Sequence, residues 1–344
     1  MTTPVSRRRF LLAATAALAQ AWPAMRAYAA PLALRVGTLA PRGSIYHQTL
    51  LEVGETWRRA EGEGAGFTVY AGGSQGGEAD LVRRMRIGQL NGAMMSVIGL
   101  IEIDRDAAAL QYMPMMFRSW SEVDAAGRRI RPLIERRMAE RGFIVLYWAE
   151  AGWVRFFSKQ PALLPEDFKR LKMFAWSGSP EQVELMKAMG YQPVVLETAD
   201  ILPALQTGLI DAVPVTASWA LATQIDAIAP HMLDVHWAPI VGAAVVTRTA
   251  WDAMSPAGRD ALRAASAKAS EVLRADRARS DREAIEAMRR RGLMVQALTP
   301  EAEAAWRKLA QSVYPRIRGA MVPADMFDAV QQALAEFRQT AVAQ

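Results

Sequence analysis

The residues that could carry out chemistry in this chain are few, and they do not form a catalytic set. The sequence has no cysteine and three histidines. Disulfides, thiolate chemistry and cysteine metal sites are therefore excluded, and a histidine-rich metal centre is not expected. Glu150, Glu166 and Asp167 are acids that could transfer protons, but no base or metal ligand is paired with them. We therefore predict that the protein is not an enzyme and that it uses no metal or cofactor.

A pair of large aromatic residues points instead to the binding of an apolar group. Phe174 and Trp176 stand in LKMFAWSGSP, where Ser179 and Pro180 begin a predicted helix in the pattern of a capping box. Because residues two apart share one face of a strand, the two rings should point the same way. Open α/β sheets bind ligands at the carboxyl ends of their strands. Core packing would also explain the pair, but its position favours the wall of a ligand cleft.

Other candidate binding residues lie where predicted strands end or turn. Ser96 ends the third predicted strand and Thr216 ends a later one, so each could offer a hydroxyl to a cleft. Trp153, Trp219 and Trp237 lie close to the expected junctions between segments. Packing between two lobes would account for these tryptophans, and an aromatic box around an apolar or ring-bearing ligand is the alternative.

The glycine-rich loop AGGSQGG, residues 71–77, precedes a predicted helix. Loops of this kind can hold phosphate through backbone N–H groups. The glycine spacing matches neither a Walker loop nor a dinucleotide-binding fingerprint. We interpret the loop as a tight connection between a strand and a helix.

The elements that must position these residues follow an α/β pattern. Strands and helices alternate between residues 32 and 97, which predicts a mainly parallel sheet. The segments LVRRMRIGQLNGAM and ILPALQTGLIDAVP both run from helix through glycine to apolar strand, which indicates two lobes built alike. Residues 141–160 read as two extended segments around Ala151 and Gly152. Residues 255–291 predict a long amphipathic helix.

The N-terminus has the pattern of an export signal. Residues 6–11, SRRRFL, match a twin-arginine signal, and residues 27–29 supply a cleavage pattern. The apolar run between them is shorter than the roughly 20 residues of a membrane span, so the mature chain is not expected to cross a membrane. Without residues 1–30 the net charge falls from +6 to +2, with 37 basic and 35 acidic residues. This near-neutral balance gives no sign of nucleic-acid binding.

The order of four segments resembles the substrate-binding proteins of TRAP transporters, the DctP-like family, over about residues 30–338. The segments are GSQGGEADLVRRMRIGQ, RFFSKQPALLPEDFKRLKMF, MGYQPVVLETADILPALQTGLIDAV and the long helix after residues 251–255. The resemblance implies a two-lobed periplasmic binding protein fold, with hinge strands and a long bracing C-terminal helix. It also implies a cleft that closes on a small organic acid. The loaded protein would then dock on the small and large subunits of a membrane permease.

The resemblance implies a division of the chain into segments. Residues 1–30 would be the signal peptide, so the mature protein would lie in the periplasm. Lobe I would comprise residues 31–150 plus about 241–275, and lobe II residues 151–240 plus about 276–338. Hinge strands would span about residues 143–158.

The resemblance also implies how a ligand carboxylate would be held. Arg155 falls where the family has an arginine entering the second lobe. The family's carboxylate-binding arginine follows a Gly-Leu-Lys-hydrophobic run, which here reads RLKM at residues 170–173, and Phe174 takes the arginine's place. The family's polar residues after its Asp-Gly strand are altered too, to DAVPVT at residues 211–216.

We therefore expect a periplasmic receptor with an atypical site. Arg155 and apolar walls would hold a small organic acid, or a more apolar or aromatic carboxylate. An exported enzyme on the same two-lobed scaffold is one alternative, since a fold does not fix a function. The sensing subunit of a signalling system is another.

Overall fold

The computed structural model describes residues 32–342, and these residues form ten strands. The strands are β1 (Ala33–Thr38), β2 (Gly66–Tyr70), β3 (Gly92–Ser96), β4 (Phe143–Ser158), β5 (Lys172–Trp176), β6 (Gln192–Leu196), β7 (Ala212–Thr216), β8 (His231–Asp234), β9 (Pro239–Thr247) and β10 (Met294–Ala297). The export signal predicted for residues 1–30 lies outside the described residues.

Twelve α-helices alternate with these strands over the same range. They are α1 (Ile45–Glu61), α2 (Glu78–Arg86), α3 (Val97–Leu100), α4 (Trp120–Glu140), α5 (Pro165–Phe168), α6 (Pro180–Ala188), α7 (Ile201–Thr207), α8 (Ala217–Ala222), α9 (Arg248–Ala253), α10 (Pro256–Arg289), α11 (Pro300–Ile317) and α12 (Ala324–Val342). Short 3-10 helices lie at Arg105–Leu110, Thr198–Asp200 and Ile225–Ala227.

The strands form two sets that share β4. The first set has the order β2-β1-β3-β9-β4 and the second has the order β4-β7-β5-β6, while β8 pairs with β4 and β10 with β8. Pairing is parallel between β1 and its two neighbours, between β5 and its two neighbours, and between β8 and β10. Each antiparallel pair involves β4 or β9. The two sets and the helices packed on them are called the first lobe and the second lobe below.

Strand β4 carries the chain from one lobe into the other. Its residues 143–153 pair with β9, and its residues 154–158 pair with β7. The register with β9 shifts between Glu150 and Trp153, and Gly152 has a φ of 110°. A positive φ of this size favours glycine, because glycine has no Cβ atom. The two extended segments predicted here are thus one strand, with an irregularity at the predicted break.

Helix α10 braces both lobes. Ser255 caps its start by accepting a hydrogen bond from the Gly258 amide, and Pro256 occupies the first helical position. The Glu61 carboxylate, at the end of α1, accepts bonds of 3.0 Å from the Ser255 amide and hydroxyl. Farther along, α10 packs on α1 and β4, and then on α8 of the second lobe. A long bracing helix was predicted, and the structure confirms it.

The C-terminal part of the chain is divided between the lobes. Helix α11 inserts Trp306 and Ala310 into the second-lobe core. Helix α12 packs instead against α4, and it places Met326 and Phe327 in the first-lobe core. The predicted division assigned all of residues 276–338 to lobe II, and α12 departs from it. The reason is physical: an amphipathic pattern shows that a helix buries one face, but not which partner covers it. The other domain bounds stay predictions.

Candidate functional site

Gly152, where β4 crosses between the lobes, is called the hinge below. Arg155 enters the second lobe three residues after it and is buried. Its Nε donates to the Asp234 carboxylate at 2.6 Å. Its Nη1 lies 2.8 Å from one oxygen of Asp281 on α10 and also contacts the Trp153 carbonyl. Burial raises the pKa of Asp281 more than Arg155 lowers it. Arg155 therefore ties β4 to β8 and to the bracing helix, and its role as a ligand anchor stays a prediction.

A second group of buried charges lies on the first-lobe side of the hinge. Glu150 accepts a 2.5 Å bond from Arg131 of α4 and lies 3.3 Å from the Arg277 guanidinium of α10. Arg277 also forms a two-pronged pair with Asp124, at 3.0 and 2.7 Å, and its guanidinium lies over the Trp120 ring. Burial opposes ionisation of Asp124, but the pairing with Arg277 outweighs it and lowers the pKa of that carboxyl. The hinge is thus held by ion pairs on both sides of Gly152.

Phe174 and Trp176 lie on β5, at the junction between the lobes, and both are buried. Together with Trp219 they belong to one apolar cluster of the second lobe. Ile98 of α3, in the first lobe, packs against the same cluster. The Trp176 ring covers Gly178 so closely that a side chain there would overlap it. The structure therefore brings these three predicted residues together at the surface where the lobes meet.

The other predicted aromatic residues lie elsewhere. Trp153 belongs to the first-lobe core and stacks on His236, with ring centroids 4.6 Å apart. Trp237 contacts Phe156 and Trp306 in the aromatic core of the second lobe. Trp153 and Trp237 thus pack within the cores of their own lobes, and their predicted role in an aromatic box around a ligand stays a prediction.

Thr216 and Ser96, the two predicted hydroxyls, both cap short helices. The Thr216 oxygen accepts a bond from the Trp219 amide at the start of α8, and its side chain lies beside the hinge Gly152. The Ser96 oxygen accepts from the Ile98 amide and donates to the buried Glu78 carboxylate at 2.7 Å. Both hydroxyls are therefore used within the fold, on the elements that flank the lobe junction.

Glu78 is a buried carboxylate that the sequence analysis did not single out. It accepts bonds from the amides of Ser96 and Gly99, both at 2.8 Å, and so holds the start of α3. Burial raises the pKa of Glu78, although these hydrogen bonds act in the opposite direction. The only signal in the sequence is its place at the start of α2, which does not reveal that it reaches a second helix.

The raised pKa of Glu78 gives stability a defined pH dependence. In the unfolded chain a glutamate ionises at about pH 4.3, whereas burial disfavours ionisation in the folded protein. As pH rises above that value, the free energy of unfolding of the wild type should fall relative to that of Glu78→Gln. The fall should reach about 1.4 kcal/mol for each unit by which the pKa of Glu78 is higher in the folded than in the unfolded protein. Urea unfolding of both proteins between pH 4 and 8 measures this difference. Glu184→Gln, at an exposed glutamate, is the control, and a constant difference would contradict the prediction.

A cavity of about 310 Å³ lies between the lobes. The first lobe supplies the wall from residues 101–112, including Glu102, Arg105 and Tyr112. The second lobe supplies the start of α6, including Ser179 and Glu181. The predicted helix start at residues 179–180 is confirmed, but the Ser179 side chain makes no capping hydrogen bond, so the predicted capping box is wrong.

No pattern in the sequence predicts this cavity, although the stretch LKMFAWSGSP ends in the cavity wall. Residues 105–110 form a 3-10 helix, for which no periodic pattern could be read. The hydroxyl of Tyr112 is shielded from solvent and has no hydrogen-bond partner among residues 32–342. Burial raises the pKa of Tyr112 to about 12, while the nearby Ser179 hydroxyl acts in the opposite direction.

Features of an enzyme or a metal site are not found in the described part of the chain. Residues 72–76 match the letters of a Gly-x-Ser-x-Gly motif, but they lie within a seven-residue connection from β2 to α2 and not in a sharp nucleophile elbow. Over residues 32–342, no three His, Cys, Asp or Glu side chains are grouped so that they could hold a metal ion. In the same range, no helix has the length and apolar character needed to span a membrane.

Comparison with known proteins identifies the family. The model of the DctP family, described as bacterial extracellular solute-binding protein, family 7, matches residues 36–319. The chain belongs to this family. The predicted resemblance is thereby confirmed, and the family is one of solute-binding proteins and not of enzymes, in agreement with the prediction.

Curated relatives of this family-7 protein are distant. The C4-dicarboxylate-binding periplasmic protein DctP of Rhodobacter capsulatus is 25% identical over 201 residues, which cover 58% of this chain and 60% of that protein. A solute-binding protein of Roseobacter denitrificans is 25% identical over 189 residues, or 54% of this chain and 57% of that protein. The matches thus span less than two thirds of these relatives.

Solved structures share the fold. A TRAP periplasmic solute-binding protein of Shewanella oneidensis with bound succinate has a TM-score of 0.81 at 17% identity, covering 89% of this chain and 100% of that one. An extracytoplasmic solute receptor of Bordetella pertussis that binds pyroglutamic acid has a TM-score of 0.80 at 20% identity, covering 88% and 99%. The predicted two-lobed periplasmic binding protein fold is confirmed.

Proposed function

We propose that this chain is the periplasmic receptor of a TRAP-type secondary transporter. It is exported by its twin-arginine-type signal and captures a small organic acid, or a more apolar or aromatic carboxylate. It then delivers this ligand to the small and large subunits of a membrane permease. The observation that carries the proposal is the cavity of about 310 Å³ whose wall comes from both lobes. The family, and relatives described as periplasmic or as binding succinate, support it.

The proposed mechanism is closure of two lobes around the ligand. Glycine at position 152 permits the irregular backbone where β4 crosses between the lobes. The contact of Ile98 with the cluster of Phe174 and Trp176 joins the two lobes in this structure. A ligand that touches both walls binds the closed form more tightly and shifts the population toward it. Apolar walls would supply affinity, and the absence of an arginine at position 174 makes the site atypical for the family.

The proposal predicts that a carboxylate ligand stabilises the mature protein. At a ligand concentration 100 times the Kd, the free energy of unfolding should rise by about 2.7 kcal/mol. A thermal-shift screen of organic acids, after the purified protein has been unfolded and refolded to remove retained ligand, measures this effect. Small-angle scattering with each hit should show a smaller radius of gyration. If no compound in a broad metabolite screen raises the Tm, the receptor function is contradicted.

A further inference from the structure

The wall of the interlobe cavity contains two hydroxyls that are left without partners. Ser179 is only 2% exposed, and its side chain neither caps α6 nor hydrogen-bonds elsewhere in residues 32–342. The Tyr112 hydroxyl, from the opposite lobe, is equally without a partner in that range. Buried hydroxyls are normally hydrogen-bonded, so these two, which lie near each other across the lobe junction, indicate a polar group that binds beside them.

The same part of the wall favours an anion. Helix α6 begins at Pro180, and its first amides, those of Glu181 and Gln182, donate no hydrogen bond to the preceding turn of the described chain. Free amides at a helix start, together with the helix dipole, stabilise a negative charge. Arg105 lies in the opposite wall, where the Ala320 carbonyl holds one end of its guanidinium. A carboxylate could therefore be bound here by hydroxyls, amides and a guanidinium, without an arginine at position 174.

Two glutamates in the wall argue against a simple dicarboxylate. Glu102 and Glu181 both line the cavity and are exposed, and neither forms a salt bridge with a residue of 32–342. A second carboxylate on the ligand would meet these like charges, and such juxtaposition is costly. An ammonium group on the ligand would neutralise them instead. Ile101, Ala108 and Met321 complete the wall with apolar surface suited to a short aliphatic stem.

We infer that this cavity binds a small amino acid, with its carboxylate at Ser179, Tyr112 and Arg105 and its ammonium at Glu102 and Glu181. The inference rests on the proposed receptor function and names the class of ligand for the same cleft. The volume of about 310 Å³ is at the lower end of the range for ligand pockets, which suits a molecule of this size.

Isothermal titration with matched probes tests the inference. The probes are the common α-amino acids and the ω-amino acids from glycine to 6-aminohexanoate, each compared with the acid that lacks the amine; for γ-aminobutyrate the partners are butyrate and n-butylamine. Succinate is included as the dicarboxylate. At least one amino acid should bind with a Kd at least tenfold lower than that of its matched acid. Equal or tighter binding of the matched acid, or of succinate, would overturn the inference.

Variants test the binding of the ligand's ammonium group and of its carboxylate separately. Glu181→Gln and Glu102→Gln should each weaken amino-acid binding by about five- to tenfold, while binding of the matched acid stays the same or improves. Ser179→Ala and Tyr112→Phe should weaken both. Glu184→Gln is the matched control, because it lies on the same helix but pairs with Lys187 away from the cavity. If neither Glu181→Gln nor Glu102→Gln reduces the preference for the amino acid over its matched acid, the proposed ammonium site is contradicted.

The outcomes distinguish this inference from the receptor function. If an acid without an amine binds tightly, and substitution of Glu102 or Glu181 does not change its Kd, the amino-acid ligand is rejected. The proposed receptor function is supported by that result. If none of the probes binds, the amino-acid ligand is rejected, and the metabolite screen decides on the receptor. Thermal unfolding of each variant, without ligand, verifies that it is folded.

Discussion

Arg155→Ala is expected to lower the free energy of unfolding by about 3–5 kcal/mol, the usual cost of removing one partner from a buried ion pair. The side chains of Arg155 and Asp281 are 5% and 9% exposed, so water cannot replace the lost partner. The Asp281 carboxyl, whose pKa burial already raises, would then have to take up a proton or stay charged without compensation. Urea unfolding at pH 7 measures the effect.

The matched control for this variant is Arg279→Ala on the same helix as Asp281. The Arg279 side chain is 63% exposed, so its removal should change stability little. Substituting both Arg155 and Asp281, by Met and Leu, should recover part of the loss, because a buried pair replaced by apolar residues is often neutral. If Arg155→Ala unfolds at the same urea concentration as the wild type, the pair does not stabilise the hinge.

The same variant tests the predicted role of Arg155 as a ligand anchor. Within the described residues, Nε and Nη1 are engaged by Asp234, Asp281 and the Trp153 carbonyl, which leaves Nη2 for a ligand. If Arg155 contacts the ligand, the Kd should rise at a temperature where the variant is fully folded. An unchanged Kd together with lower stability would assign Arg155 to the hinge alone.

Local periodicity predicted the elements that carry the site, but not their distant partners. The face shared by Phe174 and Trp176 follows from the two-residue repeat of a strand. Both lie in the apolar cluster that Ile98 of the other lobe contacts, and neither lines the cavity, so their role as a cleft wall stays a prediction. The partners of Arg155 are 79 and 126 residues away, and no local pattern links them. Trp237 illustrates the same limit: an aromatic residue near a junction can serve a core or a cleft, and only the packing decides.

The cavity could not be predicted for a related reason. Its wall combines a 3-10 segment, a helix start and Met321 near the C-terminus, which come together only when both lobes are built. Ser179 was expected to cap α6, because serine before proline favours that role. In the structure its ψ is 76° and its hydroxyl is not turned toward the helix amides. A residue that breaks a local rule in this way is expected at a functional site.

Arg277→Ala should have an effect of similar size on the other side of the hinge, about 3–5 kcal/mol. Arg277 is the shared partner of Asp124 and Glu150, and its side chain is 7% exposed. Its removal leaves two carboxylates with reduced compensation, and the Trp120 ring loses the guanidinium stacked on it. Because Arg277 connects α10 to α4 and to β4, the loss should loosen the brace between the lobes as well as lower stability.

A double-mutant cycle separates the ion pair from other effects of the substitution. Arg277→Ala, Asp124→Ala and the double variant should show a coupling energy of about 0.5–3 kcal/mol in urea unfolding. Arg131 can still pair with Glu150 in these variants, so the second carboxylate keeps one partner. Additive effects of the two single changes would mean that Arg277 acts through Glu150 and through packing on Trp120, and not through Asp124. A coupling within this range would show that a charge pair ties the bracing helix α10 to α4 of the first lobe, next to the point where β4 crosses between the lobes.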